Sequence, residues 1–199
     1  PVLGVTGSNG KTTVKEMLAS VLRAAADSDD AVLATQGNLN NDIGMPLTLL
    51  KLRKQHRYAV IEMGMNHSGE IDYLTRLACP DVALINNASG AHLAGLGSVR
   101  GVAQAKGEIF AGLSPQGVAV INADDEHAPL WRELAGNHRV IEFGLERQPD
   151  VRAQWQPQGY AAQMEVHTPQ GDFAATLQVP GVHNVRNALA ATAAAIALN

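Results

Sequence analysis

Near its amino terminus the chain reads Val5-Thr6-Gly7-Ser8-Asn9-Gly10-Lys11-Thr12-Thr13. This stretch follows a strand-like apolar run and opens a segment of helical periodicity, the context in which a glycine-rich loop binds phosphate. Glycines let the backbone curl so that amide groups point at phosphate oxygens, and the helix amino terminus adds partial positive charge. Lys11 can reach the β- and γ-phosphates, and the Thr12 hydroxyl can bind the Mg²⁺ that accompanies ATP. The predicted ATP-binding residues of this loop are Gly7, Ser8, Asn9, Gly10, Lys11, Thr12 and Thr13.

The alternative for this stretch is a glycine turn that binds nothing and leads into a helix capped by Ser8 or Asn9. The full Walker pattern places a glycine five residues before Gly10, where this chain has Val5, so the match is the shorter Gly-x-x-Gly-Lys-Thr form. The Lys-Thr-Thr run and its place between strand and helix favour the nucleotide site.

Outward from this loop, short apolar runs alternate with segments of helical periodicity. The predicted strands are 2–6, 31–35, 58–63, 82–85, 117–121 and 139–143, and the predicted helices after the first are 43–52, 69–78, 99–113, 127–135 and 185–198. Nearly continuous apolar strands that alternate with helices indicate a parallel sheet covered on both faces. The sequence therefore predicts an α/β fold of the P-loop type, with a mostly parallel sheet flanked by helices.

The alternation changes near Pro149. Residues 151–179 are rich in glutamine and alternate in polarity, with turn signals at 157–159 and 169–171. This pattern predicts a small antiparallel sheet near the carboxyl terminus, packed on the edge of the main sheet. We expect one domain over residues 1–199 and, because Pro1 opens directly into a strand-like run, a fragment of a longer protein.

The composition is that of an ordinary globular protein, with 46% hydrophobic and 17% charged residues. Fifteen basic and nineteen acidic side chains give a net charge of −4, which argues against nucleic acid or an anionic membrane as a partner. The single cysteine, Cys79, excludes an internal disulfide and fits a reducing compartment. The longest apolar stretch, 188–198, is too short to cross a bilayer, and we see no signal peptide. We therefore predict a cytoplasmic protein.

Three polar residues fall near the carboxyl ends of predicted strands, where open parallel sheets bind ligands. Glu62 ends an apolar run, which is costly for a carboxylate unless it is paired or bound to metal. His92 follows the fourth strand and can bind a metal, and Lys106 interrupts the apolar stripe of its helix four residues after Val102. Ordinary explanations remain open for each. Glu62 can pair with an arginine or cap a helix, His92 can have no role, and Lys106 can extend past Ala105 to water.

Two asparagine-rich stretches precede predicted helices. Residues 38–41 hold three asparagines, more than the cap that Asn41 or Asp42 would supply, so these amides can also hold a substrate. In the second stretch Asn184 is the predicted cap, with Asn187 one turn later on the same face. The two amides either read an adenine edge together or simply begin the helix.

The chain also carries, in order, Thr6-Gly7-Ser8-Asn9-Gly10-Lys11-Thr12-Thr13, Gly37-Asn38-Leu39-Asn40-Asn41-Asp42-Ile43-Gly44-Met45-Pro46, Val60-Ile61-Glu62-Met63-Gly64, Ala91-His92-Leu93, Ala105-Lys106-Gly107-Glu108-Ile109-Phe110 and Pro180-Gly181-Val182-His183-Asn184. Together these stretches resemble the central, ATP-binding domain of the Mur ligases, and the similarity covers essentially the whole chain. The asparagine-rich stretch is most similar to the branch that joins D-alanyl-D-alanine to UDP-N-acetylmuramoyl-tripeptide (UDP-MurNAc-tripeptide). In that family this domain lies between an amino-terminal UDP-binding domain and a carboxyl-terminal Rossmann-like domain, and we expect the 199 residues to correspond to the central domain only.

The resemblance also implies roles for single residues. It implies that Lys11 and the loop amides hold the ATP phosphates, and that Thr12 and Glu62 bind one Mg²⁺. It further implies that His92 and Lys106 serve a second Mg²⁺, with Lys106 carbamoylated by CO₂. The implied catalytic residues are Lys11, Glu62, His92 and Lys106; the implied nucleoside contacts are His183, Asn184 and Asn187; and the implied substrate contacts are Asn38, Asn41 and His67.

The implied reaction is ATP-dependent amide ligation in bacterial peptidoglycan precursor synthesis. The terminal carboxylate of the tripeptide attacks the γ-phosphorus to give an acyl phosphate, which the D-alanyl-D-alanine amine then attacks. We expect the 199 residues alone to bind ATP weakly and to ligate nothing, because catalysis in the family depends on domain closure. The alternatives are another Mur ligase or a folylpolyglutamate synthetase-type ligase, a P-loop NTPase or binding module that does not ligate, and a scaffold fragment with a degenerate site.

Overall fold

The structure is a computed structural model that describes residues 1–90 and 96–198 of the chain. The strands in this part are β1 (Val2–Thr6), β2 (Val32–Ala34), β3 (Tyr58–Glu62), β4 (Val82–Ile85), β5 (Val118–Asn122), β6 (Arg139–Gly144), β7 (Val151–Gln158), β8 (Ala161–His167) and β9 (Phe173–Leu177). The helices are α1 (Lys11–Ala26), α2 (Gly44–Leu49), α3 (Glu70–Ala78), α4 (Val99–Gly107), α5 (Ala128–Ala135) and α6 (Val182–Ile196), with 3₁₀ turns at Asp29–Ala31 and Glu108–Gly112.

The strands form one sheet in the order β2-β3-β1-β4-β5-β6-β7-β8-β9. All neighbours from β2 to β7 are parallel, and only β7–β8 and β8–β9 are antiparallel. The predicted α/β fold with a mostly parallel, helix-flanked sheet and antiparallel strands near the carboxyl terminus is confirmed.

The antiparallel strands differ in one respect from the expectation of a separate small sheet packed on an edge. β7 continues the main sheet, because Phe143 and Gly144 of β6 pair in parallel with Val151 and Arg152. Val151 is fully buried in the core, so the sequence break near Pro149 changes the direction of pairing without starting a new layer.

Helices cover both faces of the sheet. On one face α1 and α6 pack through Leu18, Leu22 and Leu189, and on the other α2 to α5 pack through residues such as Leu74 and Trp131. Because the central strands are buried on both faces, they carry almost continuous apolar sequence, as parallel sheets require.

Three helices differ by several residues from their predicted bounds. Helix α2, predicted over 43–52, spans only Gly44–Leu49. The segment predicted as a helix over 99–113 is α-helical only to Gly107 and continues as a 3₁₀ turn. Two glycines let this segment pack closely against its neighbours. A Cβ on Gly107 would lie 2.2 Å from Leu134 Cδ1, and one on Gly112 would lie 2.4 Å from the Thr75 carbonyl carbon. Helix α6 begins at Val182 rather than 185 and has Gly181 as its N-cap, so the prediction that Asn184 is the cap is wrong.

The described helices also bear on membrane association. Within residues 1–90 and 96–198, none of them combines the length and the apolar character that crossing a bilayer demands. The carboxyl ends of β1, β3, β4 and β5 lie side by side in the sheet, and the loops that leave them form the candidate site described next.

Candidate functional site

The loop between β1 and α1 leaves the amino terminus of α1 without a side-chain cap. The N-cap is Gly10, so the alternative in which Ser8 or Asn9 caps the helix is wrong. The first amides of a helix have no partner within the helix, and here they remain available to an anion. The Lys11 ammonium turns back over the loop and donates to the Gly7 carbonyl at 2.8 Å.

The loop between β1 and α1 (residues 7–10), which we call the phosphate loop, is held in place by the loop that follows β4. The Ser8 amide donates to the Asn87 carbonyl at 2.9 Å, and the Asn9 amide donates to Asn87 Oδ1 at 2.9 Å. The Ser89 amide donates to Ser8 Oγ at 2.9 Å. Because the Ser8 and Asn9 amides are engaged within the protein, an anion can bind at the uncapped first turn of α1.

A buried amide network joins the phosphate loop to α6. Asn86 Nδ2 donates both to the Asn9 carbonyl at 3.0 Å and to Asn187 Oδ1 at 2.9 Å, and Asn122 Nδ2 donates to the Asn86 carbonyl at 2.9 Å. Gly10 adopts a left-handed backbone with φ +77°, and a Cβ there would lie 2.6 Å from Asn187 Oδ1. The tight turn of the phosphate loop therefore depends on this network and on glycine at position 10.

Glu62 is held at the end of β3 by its neighbours on both sides. Oε2 accepts from Thr12 Oγ1 at 3.0 Å, Oε1 accepts from Asn40 Nδ2 at 2.8 Å, and the Glu62 amide donates to Thr35 Oγ1 at 2.9 Å. The side chain is 2% exposed. Pairing with an arginine or helix capping does not account for this carboxylate; the start of α1 and the asparagine-rich loop hold it.

Lys106 lies inside the protein. It is 2% exposed, so the explanation that its side chain reaches past Ala105 to bulk water is wrong. Burial, together with the smaller effect of the positive charge of Lys11, lowers the pKa of Lys106 to about 7. The pKa of Lys11 is also lowered by burial, with the Glu62 carboxylate acting in the opposite direction. Within the described part of the chain, no opposite charge compensates the Lys106 ammonium.

Two cavities lie on either side of the phosphate loop. The cavity that we call the lysine cavity has a volume of about 320 Å³ and is lined by Lys11, Asn40, Asn41, Asp42, Gly64, Met65, Asn66, Glu70 and Lys106. The cavity that we call the amide cavity has a volume of about 490 Å³ and is lined by Asn9, Gly10, Asn86, Asn87, Asn122, Asp124, Asp125, Glu146, His183, Arg186 and Asn187. Both volumes lie within the range of small-molecule sites.

The structure brings some of the predicted substrate and nucleoside residues to these cavities and leaves others outside. Asn41 lines the lysine cavity, and its Oδ1 accepts the Gly44 amide at 2.8 Å. The N-cap of α2 is Ile43, so the prediction that Asn41 or Asp42 is the cap is wrong. Asn38 and His67 are exposed and line neither cavity, and His67 pairs with Glu70 at 2.9 Å. His92 lies outside the described residues.

The predicted adenine-reading pair is partly engaged within the protein. Asn187 is 5% exposed and gives its oxygen to Asn86, and its amide nitrogen lies 3.4 Å from Asn184 Oδ1. Asn184 Nδ2 donates to the Pro180 carbonyl at 2.7 Å. His183 and Asn187 line the amide cavity, whereas Asn184 supports Asn187 from behind.

Several site residues escaped the sequence reasoning. Asn86 and Asn122 lie at the carboxyl ends of β4 and β5, so the rule that singled out Glu62 also applied to them. Asp124 had no local signal: its carboxylate accepts the backbone amides of residues 145–147 at 2.6–3.2 Å, a contact that only the fold creates. Arg186 pairs with Glu146 at 2.7 Å and closes one side of the amide cavity.

Comparison with known proteins gives relatives that are similar in sequence along nearly the whole chain. A protein from Haemophilus influenzae named UDP-N-acetylmuramoyl-tripeptide--D-alanyl-D-alanine ligase is 50% identical over 194 residues, which cover 98% of this chain and 42% of the relative. The Escherichia coli K12 protein of the same name is 44% identical over 194 residues, 96% of this chain and 42% of the relative. The chain thus spans less than half the length of these relatives.

Solved structures agree with the sequence relatives. A crystal structure of MurF from Acinetobacter baumannii matches 99% of this chain and 42% of its own, with a TM-score of 0.94 and 45% identity. The structure of MurF ligase from Thermotoga maritima in complex with ADP matches 99% of this chain and 45% of its own, with a TM-score of 0.84 and 29% identity. The family described as the Mur ligase middle domain matches residues 5–195, and the chain belongs to that family.

Proposed function

We propose that residues 1–199 form the ATP-binding domain of a bacterial cytoplasmic ligase that joins D-alanyl-D-alanine to UDP-MurNAc-tripeptide. The observation that carries this proposal is the position of the uncapped α1 terminus between the amide cavity and the lysine cavity. A kinase-like transfer from ATP to a carboxylate needs a nucleoside on one side of the phosphates and the reacting acid on the other. The named activity of the relatives supplies the substrates, and the UDP-binding and Rossmann-like domains would belong to the rest of a longer chain.

In this proposal the nucleoside lies in the amide cavity. Asparagine side chains present both donors and acceptors, as the edge of a purine requires. His183 and Asn187 line the cavity, and Arg186 and Glu146 close it. The triphosphate then passes over Gly10, so that the first-turn amides and Lys11 meet its anionic oxygens. Gly10, Lys11, Thr12 and Thr13 thus contact the phosphates in this proposal, and Gly7, Ser8 and Asn9 shape the turn that positions them.

The residues at the start of α1 fit a magnesium ion. Thr12 and Glu62 offer a hydroxyl and a carboxylate 3.0 Å apart, which are the hard oxygen ligands that Mg²⁺ takes while keeping several waters. Among the described residues, no three carboxylate, histidine or cysteine side chains converge as a metal site, consistent with an ion held partly by phosphate and water. When bound, Mg²⁺ reduces the repulsion between the triphosphate and the incoming carboxylate.

Lys106 fits the proposed carbamate chemically. CO₂ forms a carbamate with the neutral amine, and a pKa of about 7 leaves a large neutral fraction at physiological pH. The resulting anion would replace an uncompensated buried cation with a group able to bind metal together with His92. We propose Lys106 and His92 as this second pair.

The chain's own residues then position the reaction. The donor carboxylate enters the lysine cavity, where Lys11 and the first turn of α1 hold the γ-phosphate in line with it. The carboxylate oxygen forms a bond to the γ-phosphorus as the bond to the bridging oxygen of ADP breaks. The acceptor amine next attacks the acyl carbon, loses a proton and expels inorganic phosphate. Asn41 lines this cavity and is our first candidate for contact with the donor, with Asn38 and His67 as outer candidates.

The test is a ligation assay on the full-length gene product that contains this chain. With ATP and UDP-MurNAc-tripeptide, we expect D-alanyl-D-alanine, and not meso-diaminopimelate, lysine or glutamate, to yield one ADP per product. A product with another acceptor would reassign the chain to a sister ligase, and ADP release without any product would favour a non-ligating NTPase. A Lys106→Ala variant with full activity, with and without bicarbonate, would remove the carbamate from the proposal.

A further inference from the structure

Lys15 is a buried charge that the proposed reaction does not use. It lies in α1, three residues after Thr12, and is 1% exposed. Its ammonium donates to the Thr35 carbonyl at 2.8 Å and pairs with the carboxylate of Glu16, which is itself largely exposed. An apolar side chain of similar volume is often as stabilising as a buried ion pair, so stability alone does not explain a lysine at this position.

The contact between Lys15 and Thr35 lies where the pairing of β2 with β3 ends. The Thr35 amide donates to the Val60 carbonyl at 3.0 Å, as in a regular parallel ladder. Because the bonds of a parallel pair are evenly spaced, the next one would join the Glu62 amide to the Thr35 carbonyl. Lys15 binds that carbonyl, and the Glu62 amide donates to the Thr35 hydroxyl at 2.9 Å. The regular ladder therefore ends at Thr35.

Beyond Thr35 the chain enters the asparagine-rich loop and returns to Glu62 at Asn40. The Asn40 carbonyl accepts the Gly64 amide at 2.8 Å, and Asn40 Nδ2 donates to Glu62 Oε1 at 2.8 Å. Thr12 donates to the other carboxylate oxygen, Oε2, at 3.0 Å. Helix α1 thus contacts the side chain of Glu62 directly through Thr12.

The same helix also reaches the backbone of Glu62, through Lys15 and Thr35. Residues three apart lie on one side of a helix, so Thr12 and Lys15 can both face β3. The two contacts together fix the carboxylate of Glu62 relative to the hydroxyl of Thr12, which is the pair that we propose as Mg²⁺ ligands.

We propose that Lys15 is a positioning residue for this Mg²⁺ pair. By binding the Thr35 carbonyl, its ammonium leaves the Thr35 hydroxyl to hold the Glu62 amide, and this places the carboxylate at Thr12. The inference rests on the proposed function, and specifically on Mg²⁺ at Thr12 and Glu62. Lys15 acts through Thr35 and not by contact with the nucleotide. Loss of a group that orients a metal ligand typically weakens metal binding by ten- to a hundredfold.

The experiment measures how strongly Mg²⁺ favours ADP binding to the full-length gene product. Calorimetry gives the Kd of ADP with saturating Mg²⁺ and with EDTA, for Lys15→Met, Thr35→Val and the double variant. Thr35→Val keeps the lysine and removes only the hydroxyl that holds the Glu62 amide. The matched control is Lys51→Met, because the exposed Lys51 donates to Gln36 Oε1 at 3.0 Å and so contacts the next residue of the chain from outside.

With Mg²⁺, Lys15→Met should weaken ADP binding about tenfold and Thr35→Val about threefold, whereas binding in EDTA should change less than about twofold. The double variant should match Lys15→Met alone, because both changes act along one path. Lys51→Met should leave both Kd values within about twofold. If Lys15→Met does not fold, the selective loss of the Mg²⁺ effect in Thr35→Val supports the proposal, and an unchanged Mg²⁺ effect in that variant overturns it.

Three results would overturn the role of Lys15. The Mg²⁺ effect could persist in Lys15→Met, the losses could be equal with Mg²⁺ and with EDTA, or the effects of the two substitutions could multiply in the double variant. Equal losses would mean that the substitution distorts α1 as a whole rather than the metal ligands. A failure of the proposed Mg²⁺ site itself is distinguishable, because Mg²⁺ would then not strengthen ADP binding to the unmodified protein.

Discussion

The amide cavity and the lysine cavity flank one phosphate loop but are built in opposite ways. In the amide cavity the polar side chains satisfy one another: Asn86 alone joins the Asn9 carbonyl, Asn187 and Asn122. In the lysine cavity Lys106 is buried with a like charge as its electrostatic neighbour. The polar groups of the amide cavity are therefore satisfied without a ligand, whereas the charge of Lys106 in the lysine cavity is not compensated.

This difference separates stability from function within one site. A satisfied amide network contributes to folding, so its loss lowers the free energy of unfolding. A buried, uncompensated cation lowers the free energy of unfolding and persists where function requires it. Removal of the buried Lys106 charge should therefore raise the free energy of unfolding, removal of a partner in the amide network should lower it, and both should impair activity.

The largest expected effect is that of Lys106→Met. Removal of the buried charge should raise the free energy of unfolding by about 1–4 kcal/mol, while ligation falls by about a hundredfold or more. Equilibrium urea unfolding of the nucleotide- and metal-free chain measures the first effect. Lys54→Met, which removes an exposed lysine, is the matched control and should change stability by less than about 0.5 kcal/mol.

We also expect the effect of Lys106→Met on the free energy of unfolding to depend on pH. Burial depresses the pKa of Lys106 from 10.5 to about 7, so between these values the unfolded chain binds more protons than the folded one. Lys106 therefore makes the free energy of unfolding rise with pH between about 7 and 10.5, and the destabilisation by its buried charge is fully present below pH 7. The stability advantage of Lys106→Met over the unmodified chain should be largest below pH 7 and shrink toward pH 10. A constant or growing advantage would contradict the uncompensated charge.

On the amide side, Gly10→Ala tests the packing of the turn. The new Cβ would meet Asn187 Oδ1 at 2.6 Å and Asn86 Nδ2 at 2.8 Å, in addition to the strain of φ +77°. Gly37→Ala is the matched control, because Gly37 also has positive φ, +55°, but nothing lies within 4 Å of a Cβ there. We expect losses of about 2–3 kcal/mol for Gly10→Ala and about 1 kcal/mol for Gly37→Ala.

Binding of ADP, measured by calorimetry, should follow the same order. Gly10→Ala should weaken it about tenfold or more, because the displaced turn misaligns the first amides of α1, whereas Gly37→Ala should leave it within about twofold. Equal stability losses in the two variants would show that backbone strain alone, and not the amide network, limits position 10.

The sequence was sufficient for the parallel part of the fold and for the inner residues of the site. Buried strands and amphipathic helices have periodicities that local reading detects, and a charge in an apolar run, such as Glu62 or Lys106, is visible without coordinates. The joining of β7 to β6 was not predictable, because pairing direction depends on where the chain returns. The apolar periodicity continues past Gly107 to Leu113 and so gives no sign that α4 ends there, and the close approach of Leu134 to Gly107 is a contact that only the fold creates.

The hydrogen-bond partners of the side chains in the asparagine-rich loop were the least predictable part of the site. Asn38, Asn40 and Asn41 have the same chemistry and lie within four residues, and a local reading cannot say which of them reaches Glu62. The structure assigns that contact to Asn40, which the sequence reasoning left out of its site residues. The register of this loop against β3, fixed by the Gly64 amide donating to the Asn40 carbonyl at 2.8 Å, makes the choice.

The smallest expected difference follows from that choice. Asn40→Ala removes one of the hydrogen bonds to the buried Glu62 carboxylate and should cost about 1–2 kcal/mol of unfolding free energy. Asn38→Ala removes an exposed side chain and should stay within about 0.5 kcal/mol. Because Glu62 is the proposed Mg²⁺ ligand, Asn40→Ala should also raise the Mg²⁺ concentration for half-maximal ADP release severalfold, which Asn38→Ala should not do. If Asn38→Ala had the larger effect on both measurements, the asparagine-rich loop would adopt a different register when substrate binds. The uncompensated charge in the lysine cavity would then result from the position of this loop.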